Sequence, residues 1–400
     1  MKKKTDHGNI ITIDESTATL LPSSLMAGGQ IPADTLVPKR AFGKTGVKIS
    51  KLCLGGGSFP VTDGRAFLDE ALGHGVDCWE IVSFLSGDVY NEYFKTYPER
   101  REKVFLTAKV YSTEPAVMQG QLNRALIENG THYIDFLAIH PVDDIAVLTD
   151  DVRIWVDKAK REKKIRFFGF CTHKNMDNCL NGAAELGWID GIQTVYNYRF
   201  QNIKSMEDAM QRCHEKGIGI FNVKSMGLTV QRKDELQQPP INEERFNALL
   251  TLHGISFEQV KLRAIWQNPN LTSICSLMPS STILRSNVSA AVDERPLDVE
   301  IKRLLTDYAE ITGKYFCRRC GVCDSVNADS IPIFNIMEML MYARGYTAKE
   351  KNMIAKKFEQ IPVEIRSRII GSDYSEAEKR CPQKMQIARL MKEACTEFNG

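Results

Sequence analysis

The stretch Cys317-Arg-Arg-Cys320-Gly-Val-Cys323 places three thiols at two-residue intervals. Each interval turns the chain enough for the sulfurs to face one compact soft centre. In ferredoxin-like sites the fourth ligand is a remote cysteine followed by proline, and Cys381-Pro382 supplies one. Cys395 competes, but no proline follows it. Cys317, Cys320, Cys323 and Cys381 therefore read as ligands of one 4Fe-4S cluster. A structural zinc is the alternative, although zinc ligands more often come as two separated pairs. Arg318, Arg319 and Arg380 would offset part of a cluster's negative charge. Cys53, Cys78, Cys171, Cys179, Cys213 and Cys275 lie in or beside apolar runs and read as packing residues.

A second constellation is Glu80, Lys109 and His140, each near the carboxyl end of a strand-like run. An acid, an amine and an imidazole brought together tune one another's proton affinity and can move a proton. The alternatives are a structural Glu80–Lys109 ion pair and a packed core histidine.

The elements that must position these residues form an alternation. Strand-like runs occur at 51–54, 76–82, 104–110, 133–140, 165–170, 191–196, 219–223 and 273–278. Amphipathic stretches of helical period lie among them, at 114–129, 151–164, 176–186, 206–216, 257–267 and 282–292. Eight strand-helix units over about 250 residues are what a closed parallel (β/α)8 TIM barrel needs; a doubly wound open sheet is the alternative. The fold class is α/β. Barrel strands that carry chemistry present it at their carboxyl ends, where Glu80, Lys109 and His140 fall.

Outside the alternation, residues 1–36 read as a flexible tail, and Gly43-Lys-Thr-Gly46 as the turn of a hairpin that plugs or covers the barrel. The barrel is expected over 37–296. A polar segment from Gly227 to Gly254 stretches the unit before the last strand and reads as a long loop. A small helical iron-sulfur domain is expected over 297–400, with helices at 298–311, 334–344, 348–358 and 388–397.

The 52 basic and 50 acidic residues leave a net charge of +2, so no general pull toward nucleic acid or a membrane surface is implied. No apolar run approaches the ~20 residues that span a bilayer. Eleven cysteines without a secreted framework spacing, and no secretory leader, point to the cytoplasm.

From Val37 to Glu397 the chain resembles the aldo-keto reductases, in the branch with an iron-sulfur extension. The resemblance is carried by Arg40-Ala-Phe-Gly-Lys-Thr-Gly-Val-Lys-Ile-Ser50, Gly55-Gly56, Lys109 and Tyr133-Ile-Asp-Phe-Leu-Ala-Ile-His140. Lys164-Ile-Arg-Phe-Phe-Gly-Phe170, Trp188-Ile-Asp-Gly-Ile-Gln-Thr-Val-Tyr-Asn-Tyr198 and Cys381-Pro-Gln-Lys-Met-Gln-Ile387 complete it. It implies a barrel that passes hydride from NAD(H) or NADP(H) to the carbonyl of a small-molecule substrate. With the cluster it implies single-electron exchange with a redox partner protein; the alternative is a degenerate barrel serving as a subunit of a larger redox assembly.

Lys109 and His140 match the family's catalytic set. Where the family has aspartate and, five residues on, a proton-donating tyrosine, this chain has Glu80 and Leu85. Tyr90 could swing in as a substitute donor, but a tyrosine at such a position more often packs. On the cofactor side the resemblance implies Thr172, His173 and Gln193 for the nicotinamide amide, and Lys224-Ser225 after the seventh strand. For a nucleotide phosphate it implies Ser280 and Ser281 at the last helix start, followed by Arg285 and Asn287. Arg285 suits a 2′-phosphate, which favours NADP; a solvated helix arginine is the alternative.

Overall fold

The structure is a computed structural model and describes residues 31–32, 34–56, 63–81, 87–227, 243–326, 329–345 and 348–398. Most of the expected tail, and Leu85, lie outside the described residues.

Two short strands, β1 (Lys39–Ala41) and β2 (Lys48–Ser50), pair antiparallel as the expected hairpin. Eight more form the barrel: β3 (Leu52–Leu54), β4 (Cys78–Glu80), β5 (Phe105–Val110), β6 (Ile134–Ile139), β7 (Ile165–Thr172), β8 (Gly191–Val195), β9 (Gly219–Val223) and β10 (Ser273–Ser276). Each lies within two residues of its sequence-expected run. Neighbouring strands are parallel and in sequence order, and β10 closes onto β3. The strands read as near-continuous apolar runs because both faces are covered, one by helices and the other by barrel filling.

The hairpin is a plug. Phe42, fully buried at its tip, packs against Phe105, Phe136, Phe167 and Phe221 with ring centroids 5.3–5.6 Å apart. Phe105, Phe136 and Phe167 lie in the amino-terminal halves of their strands and Phe221 at the middle of its own, so Phe42 fills the end of the barrel opposite the chemistry. Glycine is required around it: a Cβ on Gly191 or Gly219 would come within 2.5 or 2.1 Å of the Phe42 ring.

In the stretch 227–254, residues 228–242 lie outside the described residues, but Glu243–Leu252 is a helix rather than part of a long loop. Phe246, Leu249 and Leu250 have the i, i+3, i+4 spacing of a helical stripe, and they pack with Val260 and Ala264 of the following helix. Polar neighbours concealed that short stripe.

Beyond the barrel, the helix Val299–Ile311 starts at Asp298, whose carboxylate accepts from the Glu300 and Ile301 amides. Its Ile301, Leu304, Leu305 and Tyr308 join Phe246 and Leu250 on the outside of the barrel. The helices Ile333–Gly345, Ala348–Glu359, Ser375–Arg380 and Ile387–Phe398 close around a separate core containing Ile336, Leu340, Phe358, Ile369 and Met391. Among the described residues no helix is long and apolar enough to cross a membrane.

Candidate active site and cysteine centre

At the carboxyl mouth the strand register brings Glu80 beside Lys109, whose ammonium lies 2.9 Å from Glu80 Oε1. The same oxygen accepts from Gln193 Nε2 at 2.9 Å. The other accepts from the Gly56 amide at 3.2 Å and from the Cys275 thiol at 3.3 Å. Burial alone would push the Glu80 carboxyl up, but Lys109 and these donors outweigh it and hold it below its ordinary value. Burial would likewise pull Lys109 down, and the Glu80 charge reverses that, so its pKa is raised. The pair stays ionised at neutral pH.

His140 follows β6 and His173 follows β7, and their Nε2 atoms are 2.9 Å apart. Cys171 Sγ lies 3.3 Å from His173 Nε2. Burial, with Lys109 adding, pushes His140 down to about 3; burial, with Lys224 adding, puts His173 well below its usual range. With both rings neutral, one Nε2–H donates to the other Nε2. His140 Nε2 is therefore already engaged by a neighbouring ring, and the Nδ1 atoms of both rings are buried with no hydrogen-bond partner. Tyr90 is fully buried, stacked on Trp79 at 5.5 Å, and donates its hydroxyl to the Glu80 backbone carbonyl. Tyr90 is thus the packed ring, the alternative the sequence favoured over a substitute donor.

Cys171 and Cys275 are also corrected, from packing residues to members of the site. A signal was present in the sequence: Cys171 stands two residues before His173, and the pleat puts alternate residues on one side of a strand.

The remaining expected residues divide. Gln193 stands in the site, and its Oε1 is buried without a partner. Thr172 is buried and donates its hydroxyl to the Lys174 carbonyl at 3.0 Å. Ser225 is buried at the end of β9, beside Lys224. Ser280 caps the helix Ser281–Val292, its hydroxyl accepting from the Ile283 amide at 3.3 Å. Asn287 turns inward and donates to Ser276 Oγ at 3.1 Å. Arg285, half-exposed on the rim, donates its Nε to Glu70 Oε1 at 2.5 Å.

The sequence profile of the aldo/keto reductase family matches residues 51–301. The chain belongs to that family. It is similar to the uncharacterized oxidoreductase YrpG of Bacillus subtilis (strain 168), 23% identical over 309 residues that cover 66% of this chain and 94% of that one. Two solved structures from Pseudomonas aeruginosa with an aldo-keto reductase designation match at 17% identity and TM-scores of 0.50. They cover 64% and 68% of this chain, and 96% and 98% of their own chains. Those two likenesses concern the fold.

In this aldo/keto reductase the cysteine motif sits on the barrel mouth. The Asn175 amide, after β7, donates to the Arg319 carbonyl at 2.9 Å, and the Lys174 ammonium pairs with Asp324 at 2.6 Å. Arg319 is almost fully buried; it pairs with Glu338 and donates to the Tyr342 hydroxyl at 2.7 Å. Lys224, after β9, donates to that same hydroxyl.

Cys317, Cys320, Cys323 and Cys381 are unpaired and half-buried. Burial pushes the Cys317 thiol up to about 12, with Cys320 and Cys381 adding to the rise. Gln383 braces the motif, accepting from the Arg318 amide at 2.7 Å and donating to the Phe316 carbonyl at 2.8 Å. No three of the four sulfurs lie within 4.8 Å of one another.

Proposed function

We propose that this aldo/keto reductase is a cytoplasmic oxidoreductase coupling nicotinamide-linked two-electron chemistry on a small organic substrate to one 4Fe-4S cluster held by Cys317, Cys320, Cys323 and Cys381. The observation that carries the reading is the seat of the cysteine motif on the loops after β7 and β9, through Asn175–Arg319 and Lys224–Tyr342–Arg319. A nicotinamide would supply the hydride and the cluster would exchange single electrons with a redox partner protein. Gln193 Oε1 is an open buried acceptor suited to a carboxamide N–H. Thr172, His173, Lys224 and Ser225 surround that end of the cofactor, while Ser280 and Ser281 offer a helix amino terminus to its phosphates. Arg285, exposed on the rim beside Glu70, lies where it could meet a 2′-phosphate, so the site suits NADP(H) or NAD(H). Glu80 keeps Lys109 charged and in place. His140 orients the substrate oxygen once His173 releases its Nε2.

Anaerobic titration of the iron-loaded protein with NADH and then NADPH tests this reading. Nucleotide binding accompanied by bleaching of cluster absorbance is the expected result, and no binding of either nucleotide would overturn it. The engagement of His140 by His173 and the packing of Tyr90 favour a second reading, in which the barrel has lost hydride transfer and serves as a subunit of a redox complex. That reading predicts that Lys109→Ala and His140→Ala leave turnover unchanged while Cys320→Ala abolishes complex formation.

A further inference from the structure

We propose that His140, Cys171 and His173 bind one divalent transition-metal ion of the zinc class in the barrel mouth, a site separate from the four-cysteine centre. The ion's use rests on the oxidoreductase reading; its binding does not.

Among the described residues, this is the set of three histidine, cysteine or carboxylate ligand atoms that all lie within 4.8 Å of one another. Two separations are 2.9 Å, between the Nε2 atoms, and 3.3 Å, from His173 Nε2 to Cys171 Sγ. Around tetrahedral zinc, with bonds of ~2.0–2.3 Å, neighbouring ligand atoms stand roughly 3.3–3.6 Å apart. These two separations are within a few tenths of an ångström of those values, and the third, between His140 and Cys171, is no more than 4.8 Å. The main chain holds the frame without the ion: the His140 amide donates to the Val110 carbonyl, and the Val142 amide to the Cys171 carbonyl, both at 2.8 Å.

The donors are two imidazole nitrogens and one sulfur, the mixed borderline-soft set that zinc-class ions prefer over magnesium or calcium. Without an ion, two Nε2 lone pairs face each other across a single proton. With one, both lone pairs are used, and each Nδ1 carries its ring hydrogen. Those Nδ1 atoms are buried without a partner, a position for an ordered water or a substrate atom to complete the outer shell.

Charge sets a condition. Lys109, Lys224 and Arg319 act on His173, and Glu80 is the acid acting on His140. A dication here needs Cys171 as thiolate, so binding breaks the S–H bond, forms a metal–sulfur bond and releases one proton to solvent. With the ion bound, both Nε2 atoms are taken, so the ion replaces His140 in orienting the substrate oxygen and His173 no longer serves the nicotinamide. The three protein ligands leave an open position where the ion could polarise a carbonyl oxygen without a tyrosine proton donor.

The test uses the full chain with its cysteine centre loaded anaerobically with iron, titrated with Co2+. The expected result is one cobalt retained per chain after gel filtration, a thiolate-to-cobalt band in the difference spectrum, and release of one proton. Cys171→Ser should abolish the band, and His173→Gln should lower retained cobalt about ten-fold. No retained cobalt in the wild type, or a band that survives Cys171→Ser, would overturn the site. NADH binding measured in parallel separates the two ideas: nucleotide without cobalt removes the metal site alone, and variant-dependent cobalt without nucleotide keeps the site and removes the oxidoreductase reading.

Discussion

Lys109 and Glu80 face each other at 2.9 Å with side chains 13% and 6% exposed, so the charged pair at the barrel mouth is nearly dry. Removing one partner strands the other. Lys109→Met should lower unfolding stability by about 3 kcal/mol, read from the denaturant midpoint. The Glu80 pKa lies below its ordinary 4.5, so the stability from its ionisation is complete above that pH and is lost as pH falls through the folded value. The variant, which lacks the attracting charge, should unfold in acid at a higher pH than the wild type.

His140 and His173 are half-buried and neutral, and the unfolded chain takes up their protons near pH 6.5. For a depressed histidine the unfolded state binds more protons, so stability falls on acidification, from about pH 6.5 toward the folded value near 3 for His140. Each ring should contribute a slope of roughly 1.4 kcal/mol per pH unit in that window. A His140→Gln/His173→Gln protein should show a flatter stability profile between pH 6 and 4, as determined by denaturation in a pH series.

Gln383 holds the backbone on both sides of Cys317 through the Arg318 amide and the Phe316 carbonyl. Gln383→Leu should leave the barrel folded but weaken iron retention about ten-fold, as measured by iron per chain after anaerobic dialysis against a chelator. Unchanged retention would mean that the motif is held by other contacts.

Glu70 occupies Arg285 on the rim of the nucleotide side. Glu70→Gln frees the guanidinium for a 2′-phosphate and should move the NADPH/NADH affinity ratio about five-fold toward NADPH, the equivalent of ~1 kcal/mol. Fluorescence titration with both nucleotides reads this directly.

Phe42 closes the far end of the barrel against four phenylalanines. Phe42→Ala should cost about 3–5 kcal/mol, with a matching drop in the thermal midpoint.

Local pattern was enough to locate the eight strands, because both faces of a parallel barrel are buried and each strand is an apolar run cut by turn residues. It was also enough to single out Glu80, Lys109 and His140, since side chains near strand ends share one rim. Sequence could not join residues distant along the chain. The approach of Cys275 to Glu80, of Cys171 to His173, and of Glu70 to Arg285 depends on barrel closure and side-chain direction. The sequence favoured packing for Tyr90 but could not fix it, for the same reason: a tyrosine on a helix can serve as a donor or a packed ring until Trp79 lies against it. Spacing marked the four cysteines as a set, but only the tertiary structure put Arg319 between them and the barrel, because a buried guanidinium needs Glu338 and Tyr342 from another helix to satisfy its charge and N–H donors.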